Sequence, residues 1–131
     1  MSIGILVVDD EPDVVELFRQ RFRREVRGGD YTLHFAGSGR QALDLMSAGV
    51  EPEVLMILSD INMPEMDGLE LLQEVKRRRP DLSVVMVTAY EDEERRRAAD
   101  RYGATDFLSK PIDFEHLKAR IRSIASGANP G

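Results

Sequence analysis

Cysteine is missing from all 131 residues, which excludes disulfides and thiolate metal sites and fits a reducing compartment. Histidine is nearly missing as well. His34 and His116 lie away from other reactive side chains and read as exposed, so no Ser/His/Asp arrangement for acyl transfer is present. No long hydrophobic run occurs. The opening MSIGILVV lacks a basic segment, and its apolar stretch is too short for a signal peptide or a membrane span. Positive charge is in deficit: a net charge of −6 argues against nucleic acid as a direct partner. Lys76–Arg79 and Arg95–Arg97 are basic clusters, read as a solvated helix end and a solvated helix face. No repeat, linker or second core is visible. The expectation is a soluble, cytoplasmic protein with one domain over residues 1–125 and a short flexible tail over 126–131.

What is present is an alternation. Hydrophobic residues make up 42% and charged ones 32%, a globular balance. Five short apolar runs, Ile3–Val8, Tyr31–Ala36, Val54–Ser59, Ser83–Thr88 and Thr105–Ser109, alternate with longer amphipathic segments. ILVV, VLMIL and VVMV read as strands buried on both faces. YTLHFA and TDFLS mix in polar residues and read as sheet edges, with Asp106 blunting one of them. Val14/Val15, Phe18, Phe22 and Val26 recur at helical spacing, as do Leu69, Leu72 and Val75, and Phe114, Leu117, Ile121 and Ile124. Pro12 suits a first helical turn, Gly28-Gly29, Gly49 and Arg79-Pro80 stop three helices, and Asp113 caps the last. The fourth of five expected helices, Glu91–Tyr102, offers only Ala98, Ala99 and Tyr102 as an apolar face and should be loosely held. The alternation predicts an α/β fold: a doubly wound five-stranded parallel sheet with helices on both faces.

In such a sheet, ligands bind beyond the carboxyl ends of the strands. The first strand ends in Asp9-Asp10, the third in Asp60, the fourth in Thr88-Ala89 and the fifth in Ser109-Lys110-Pro111. Three carboxylates, a hydroxyl and an ammonium therefore gather at one edge. Like charges about 4 Å apart cost about 4 kcal/mol per pair at an effective dielectric of about 20, so a proton or a cation must settle the cluster. An all-oxygen donor set with room for water suits Mg²⁺. A cation, a lysine and a hydroxyl around a carboxylate suit phosphoryl transfer, with Asp60 as nucleophile and Thr88 and the Ala89 amide donating to phosphoryl oxygens.

LVVDDEPD, ILSDINMPEMDG, MVTAY and FLSKPID stand in order at matching strand ends, from Ile5 to about Ile124. In these the sequence resembles the receiver domains of two-component response regulators, similar to the chemotaxis regulators. The resemblance implies a flavodoxin-like strand order 2-1-3-4-5 and a phosphorylation switch. Asp60 would accept a phosphoryl group from a histidine kinase or histidine phosphotransfer protein. Asp9, Asp10, Asp60 and the carbonyl of Asn62 would hold Mg²⁺. Lys110, followed by a cis bond to Pro111, would contact the phosphoryl group, Thr88 would be the switch hydroxyl, and Phe107 the aromatic that turns inward. Asn62 and Tyr90 would tune the lifetime of the phosphate, the bulk of Tyr90 hindering an attacking water. Pro64 and Gly68 read as loop and helix-start devices.

Output would pass through protein contacts as a stand-alone receiver, or the chain is a fragment of a larger regulator. A homodimer through the face of the fourth and fifth helices is a further expectation, with Asp106, Arg120 and Arg95–Arg97 pairing across it. An aspartate-nucleophile phosphatase is disfavoured because Asn62 stands where a second acid is needed. AGSGRQA, after the second strand, is only a fragment of a dinucleotide-binding pattern. The intact acid set argues against a scaffold that binds partners without phosphorylation.

Overall fold

The computed structural model describes residues 2–89 and 92–126. Its strands are β1 (Ile3–Val8), β2 (Tyr31–Ala36), β3 (Val54–Asp60), β4 (Ser83–Thr88) and β5 (Asp106–Ser109). Its helices are α1 (Pro12–Arg21), α2 (Arg23–Arg27), α3 (Gly39–Ala48), α4 (Gly68–Arg78), α5 (Glu93–Arg101) and α6 (Phe114–Ala125). All strand pairs are parallel and the order is β2-β1-β3-β4-β5, as the resemblance implied. The two runs with mixed polarity are the two edges.

Period-two alternation sends each central strand into two cores. Leu6, Val8, Ile57, Val84 and Met86 face Leu43, Leu72, Val75 and Ala99 of α3, α4 and α5. Ile5, Val7, Met56, Leu58 and Val85 face Phe18, Phe22, Phe114, Leu117 and Ile121 of α1 and α6. Helix starts are capped by short polar side chains, which accept from otherwise unpaired backbone N–H groups. Ser38, Asp92 and Asp113 do this, and Asp67 forms a reciprocal capping box with Glu70.

Six helices replace the five expected. The first helical pattern breaks at Phe22 (φ −105°, ψ 12°), although neither proline nor glycine stands there. The break leaves Phe22 fully buried, stacked nearly parallel on Phe18 at 5.8 Å and edge-on to Phe114 at 6.1 Å. Val26, read as a core position, is instead 43% exposed. A second departure is Leu55, 48% exposed inside an otherwise buried strand. The β1–β3 register shifts between Gly4 and Ile5, so Leu55 is an extra residue that turns outward. His34 is half-buried rather than exposed, with Nε2 3.3 Å from the Pro52 carbonyl oxygen.

Gly68 does more than start a helix. A Cβ there would collide with the Asp60 carbonyl oxygen and lie 2.7 Å from Ile61 Cα and 2.9 Å from Met86 Cε. Its N–H donates to the Ile61 carbonyl at 2.8 Å. Absence of a side chain is what lets α4 start directly against the strand end carrying Asp60. Gly68→Ala is expected to cost about 2 kcal/mol through overpacking against backbone, read as a lower thermal midpoint. An unchanged midpoint would contradict this.

Candidate functional site

Strand register places the site. Val8 pairs with Ser59 and Ala36, Asp60 with Val87, and Thr88 with Ser109, so the strands end side by side. Backbone bonds continue past the ends: Asp9 N–H donates to Ala36, Ile61 to Val87 and Lys110 to Thr88, at 3.1, 3.0 and 2.8 Å. The side chains just beyond the strands thus inherit the rigidity of the sheet.

Asp9 and Asp60 are 5% and 4% exposed, charged groups sunk at the rim of the core. Lys110 answers both, its Nζ 3.2 Å from Asp9 Oδ2 and 3.4 Å from Asp60 Oδ2. Asp9 also accepts from the Glu11 N–H at 2.9 Å, and Asp60 from the Asn62 N–H at 3.2 Å. Exposed Asp10 and Glu11 complete the cluster. Carboxylate oxygens of Asp9, Asp10, Glu11 and Asp60 lie within 4.8 Å of one another. Thr88 is fully buried, Ala89 is exposed beside it, and the Lys110–Pro111 bond is cis.

One ammonium facing four carboxylates leaves the cluster short of positive charge. Burial, the first cause, pushes the Asp60 carboxyl above its ordinary range; Lys110 pulls it down, and Asp9 pushes it up again. Burial pulls Lys110 down, but Asp9 and Asp60 outweigh it and hold the amine above its usual value. The donors are all oxygen and unbalanced in charge, so the residues present fit a hard divalent cation such as Mg²⁺.

Two site residues escaped the sequence reading. Glu11 ends no strand, yet its Oε1 is 3.9 Å from Lys110 Nζ. Arg95 was assigned to a solvated face, yet its Nη1 donates to Asn62 Oδ1, and the Asn62 Nδ2 is buried with no partner among the described residues. The signal for Arg95 was tertiary: only the packing of α5 against the β3–α4 loop brings the two together. Arg96 sits over the half-buried Phe107 ring at 5.4 Å. Tyr90 lies outside the described residues. Asp106 and Arg120, expected to pair across a dimer, pair within the chain, Nε to Oδ2 at 2.9 Å.

A profile of the response regulator receiver domain family matches residues 5–122. The chain belongs to the response regulator receiver domain family. It is 35% identical over 130 residues to the response regulator MprA of Mycolicibacterium vanbaalenii, covering 99% of this chain and 53% of that one. It is 38% identical over 120 residues to the transcriptional regulatory protein ZraR of Escherichia coli K12, covering 92% of this chain and 26% of that one. The receiver chain thus spans about half or less of the length of these relatives. Among solved structures, the response regulator TrrA of Thermotoga maritima, in complex with Mg(2+)-BeF, matches with a TM-score of 0.77 at 28% identity, covering 93% of this chain and 98% of that one. Among the described residues no helix is long and apolar enough to cross a membrane.

Because its folded-state pKa is raised, Asp60 adds stability at low pH that is lost as pH rises above its ordinary value of 3.8. In magnesium-free buffer at neutral pH, Asp60→Asn is therefore expected to raise the thermal midpoint by several degrees, the gain shrinking as pH falls below the carboxylate range. A midpoint lowered at neutral pH would contradict the assignment.

Proposed function

We propose that this receiver is a phosphorylation switch in which Asp60 takes a phosphoryl group from a phosphohistidine on a histidine kinase or phosphotransfer protein. The observation that carries the reading is the convergence of Asp9, Asp10, Asp60 and Lys110 at one sheet edge, with Thr88 on the neighbouring strand end. An Asp60 carboxylate oxygen attacks phosphorus, the P–N bond breaks, and the imidazole leaves. Asp9, Asp10 and Asp60, with the Asn62 carbonyl, would hold Mg²⁺, which when bound supplies neutralisation of the phosphoryl oxygens. Lys110 exchanges one carboxylate contact for a phosphoryl oxygen, and the Thr88 hydroxyl and Ala89 amide donate to the others.

Helix α5 is the part that moves. Ala99 is its one buried residue, so core packing holds it weakly. Arg95 on Asn62 and Arg96 over Phe107 add contacts that tie the helix both to the phosphorylation loop and to the switch aromatic. Cavities of about 350 and 270 Å³ border Phe107 and α5. When Thr88 moves toward the phosphoryl group, Phe107 turns inward and α5 is repositioned, a two-state packing change. The new α5 surface signals by protein contact. Dimerisation through the α5–α6 face would require the internal Asp106–Arg120 pair to be exchanged between protomers.

Incubation with acetyl phosphate and Mg²⁺, read by intact mass, is expected to add one phosphate per chain. That addition disappears in Asp60→Asn and when magnesium is chelated. Phosphate release from the modified chain is expected to be faster in Tyr90→Glu. Unchanged labelling of Asp60→Asn refutes the phosphoacceptor, and many phosphates turned over per chain at enzyme-like rates favours a phosphatase.

A further inference from the structure

The sequence RQRFRREVR, residues 19–27, is a third basic cluster, and the phosphoryl site makes no use of it. Arg19 lies over Phe35 of β2, and the other arginines of the cluster border α6. Arg21, Arg23, Arg24 and Arg27 form one wall of a cavity of about 820 Å³, and Lys118 and Arg122 of α6 form the other. The two carboxylates present, Glu25 and Glu115, do not neutralise it. Glu25 is taken by Lys118 at 3.0 Å, with its Oε1 buried and without a partner among the described residues. Burial raises the Glu25 pKa, but the Lys118 hydrogen bond, a backbone hydrogen bond and the charges of Lys118 and Arg24 together outweigh it and hold the carboxyl below its ordinary range. Arg77, Arg78, Arg79, Arg97 and Arg120 each have an ion-pair partner. Among the described residues eight arginines have none; Arg40, Arg96 and Arg101 lie elsewhere, and the other five, Arg21, Arg23, Arg24, Arg27 and Arg122, line this groove. In a chain of net charge −6, uncompensated arginine is concentrated in one groove.

We propose that the α1/α2–α6 groove is a docking site for a short acidic peptide segment of a partner protein. Guanidinium forks match carboxylates in a bidentate way, and five of them line the groove without an ion pair, Arg21 lying over the Phe114 ring at 5.4 Å. Along α6 the groove runs from Glu115 to Arg122, about 10 Å at helical rise, enough for an extended segment of about three residues. A long polyanion such as duplex DNA would meet the acidic remainder of the surface on leaving the groove, whereas a short acidic segment stays inside it. Arg27 and Gly28 lie just before β2 begins, whereas Asp60 ends β3 at the other end of the parallel strands.

Fluorescence anisotropy of the full chain with fluorescein-labelled octaglutamate, and separately with a short labelled DNA duplex, tests this. Saturable peptide binding in low salt is expected, weakened about tenfold in Arg23→Glu/Arg27→Glu. Because both positions are exposed, the fold should survive, and Arg23→Ala/Arg27→Ala should show a smaller loss in the same direction. The control Arg77→Glu/Arg78→Glu makes the same charge change on α4 and should leave binding within about twofold. No saturable peptide binding, equal loss in the control, or tighter binding of the duplex than of the peptide would each overturn the proposal. All readouts are independent of Asp60 phosphorylation.

Discussion

A single ammonium, Lys110, stands against the Asp9 and Asp60 carboxylates at 3.2 and 3.4 Å, with Asp10 and Glu11 close by. The rest of the molecule is arranged around holding that imbalance in place. Left in water, these acids would separate; here Asp9 and Asp60 cannot, because they stand at the ends of β1 and β3, whose neighbours are fixed by parallel register. Both faces of the sheet are packed, so the strands cannot slide to relieve the repulsion. Gly68 extends the constraint to the loop after Asp60, where backbone rests on backbone. A phosphoryl group added there with a cation would land in a rigid frame already short of positive charge.

The frame is rigid on one side and weakly held on another. Helices α1, α4 and α6 bury large side chains, whereas α5 buries one alanine and relies on two neighbouring arginines. Arg95 reaches the loop that follows Asp60, and Arg96 covers Phe107. Contacts of this kind are individually small and depend on local charge. A change of charge at Asp60 would thus act beside a weakly packed helix. This physical asymmetry fits a switch better than an enzyme whose parts must all stay fixed.

Much of this was legible in the sequence, for identifiable reasons. Nearly continuous apolar runs gave the central strands, and mixed runs gave the edges, because a doubly covered strand has no polar face to show. The acids and Lys110 were legible because each directly follows such a run. Contacts with no local signal were not legible. Nothing near Phe22 marks a helix break; aromatic stacking against Phe18 and Phe114 accompanies it. Leu55 reads as core because a one-residue register shift has no signature in composition. Arg95 looked like solvated charge because its partner, Asn62, is distant in sequence. Gly68 looked like a helix-start residue because a close backbone approach is a tertiary fact.

The central claim is that the carboxylate cluster is a divalent-cation site built around Asp60. Calorimetric titration of the chain with Mg²⁺ tests it most directly. Saturation at one ion per chain in the millimolar range is expected, with affinity lost in Asp9→Asn. No saturation at millimolar magnesium, or equal affinity in Asp9→Asn, would contradict it.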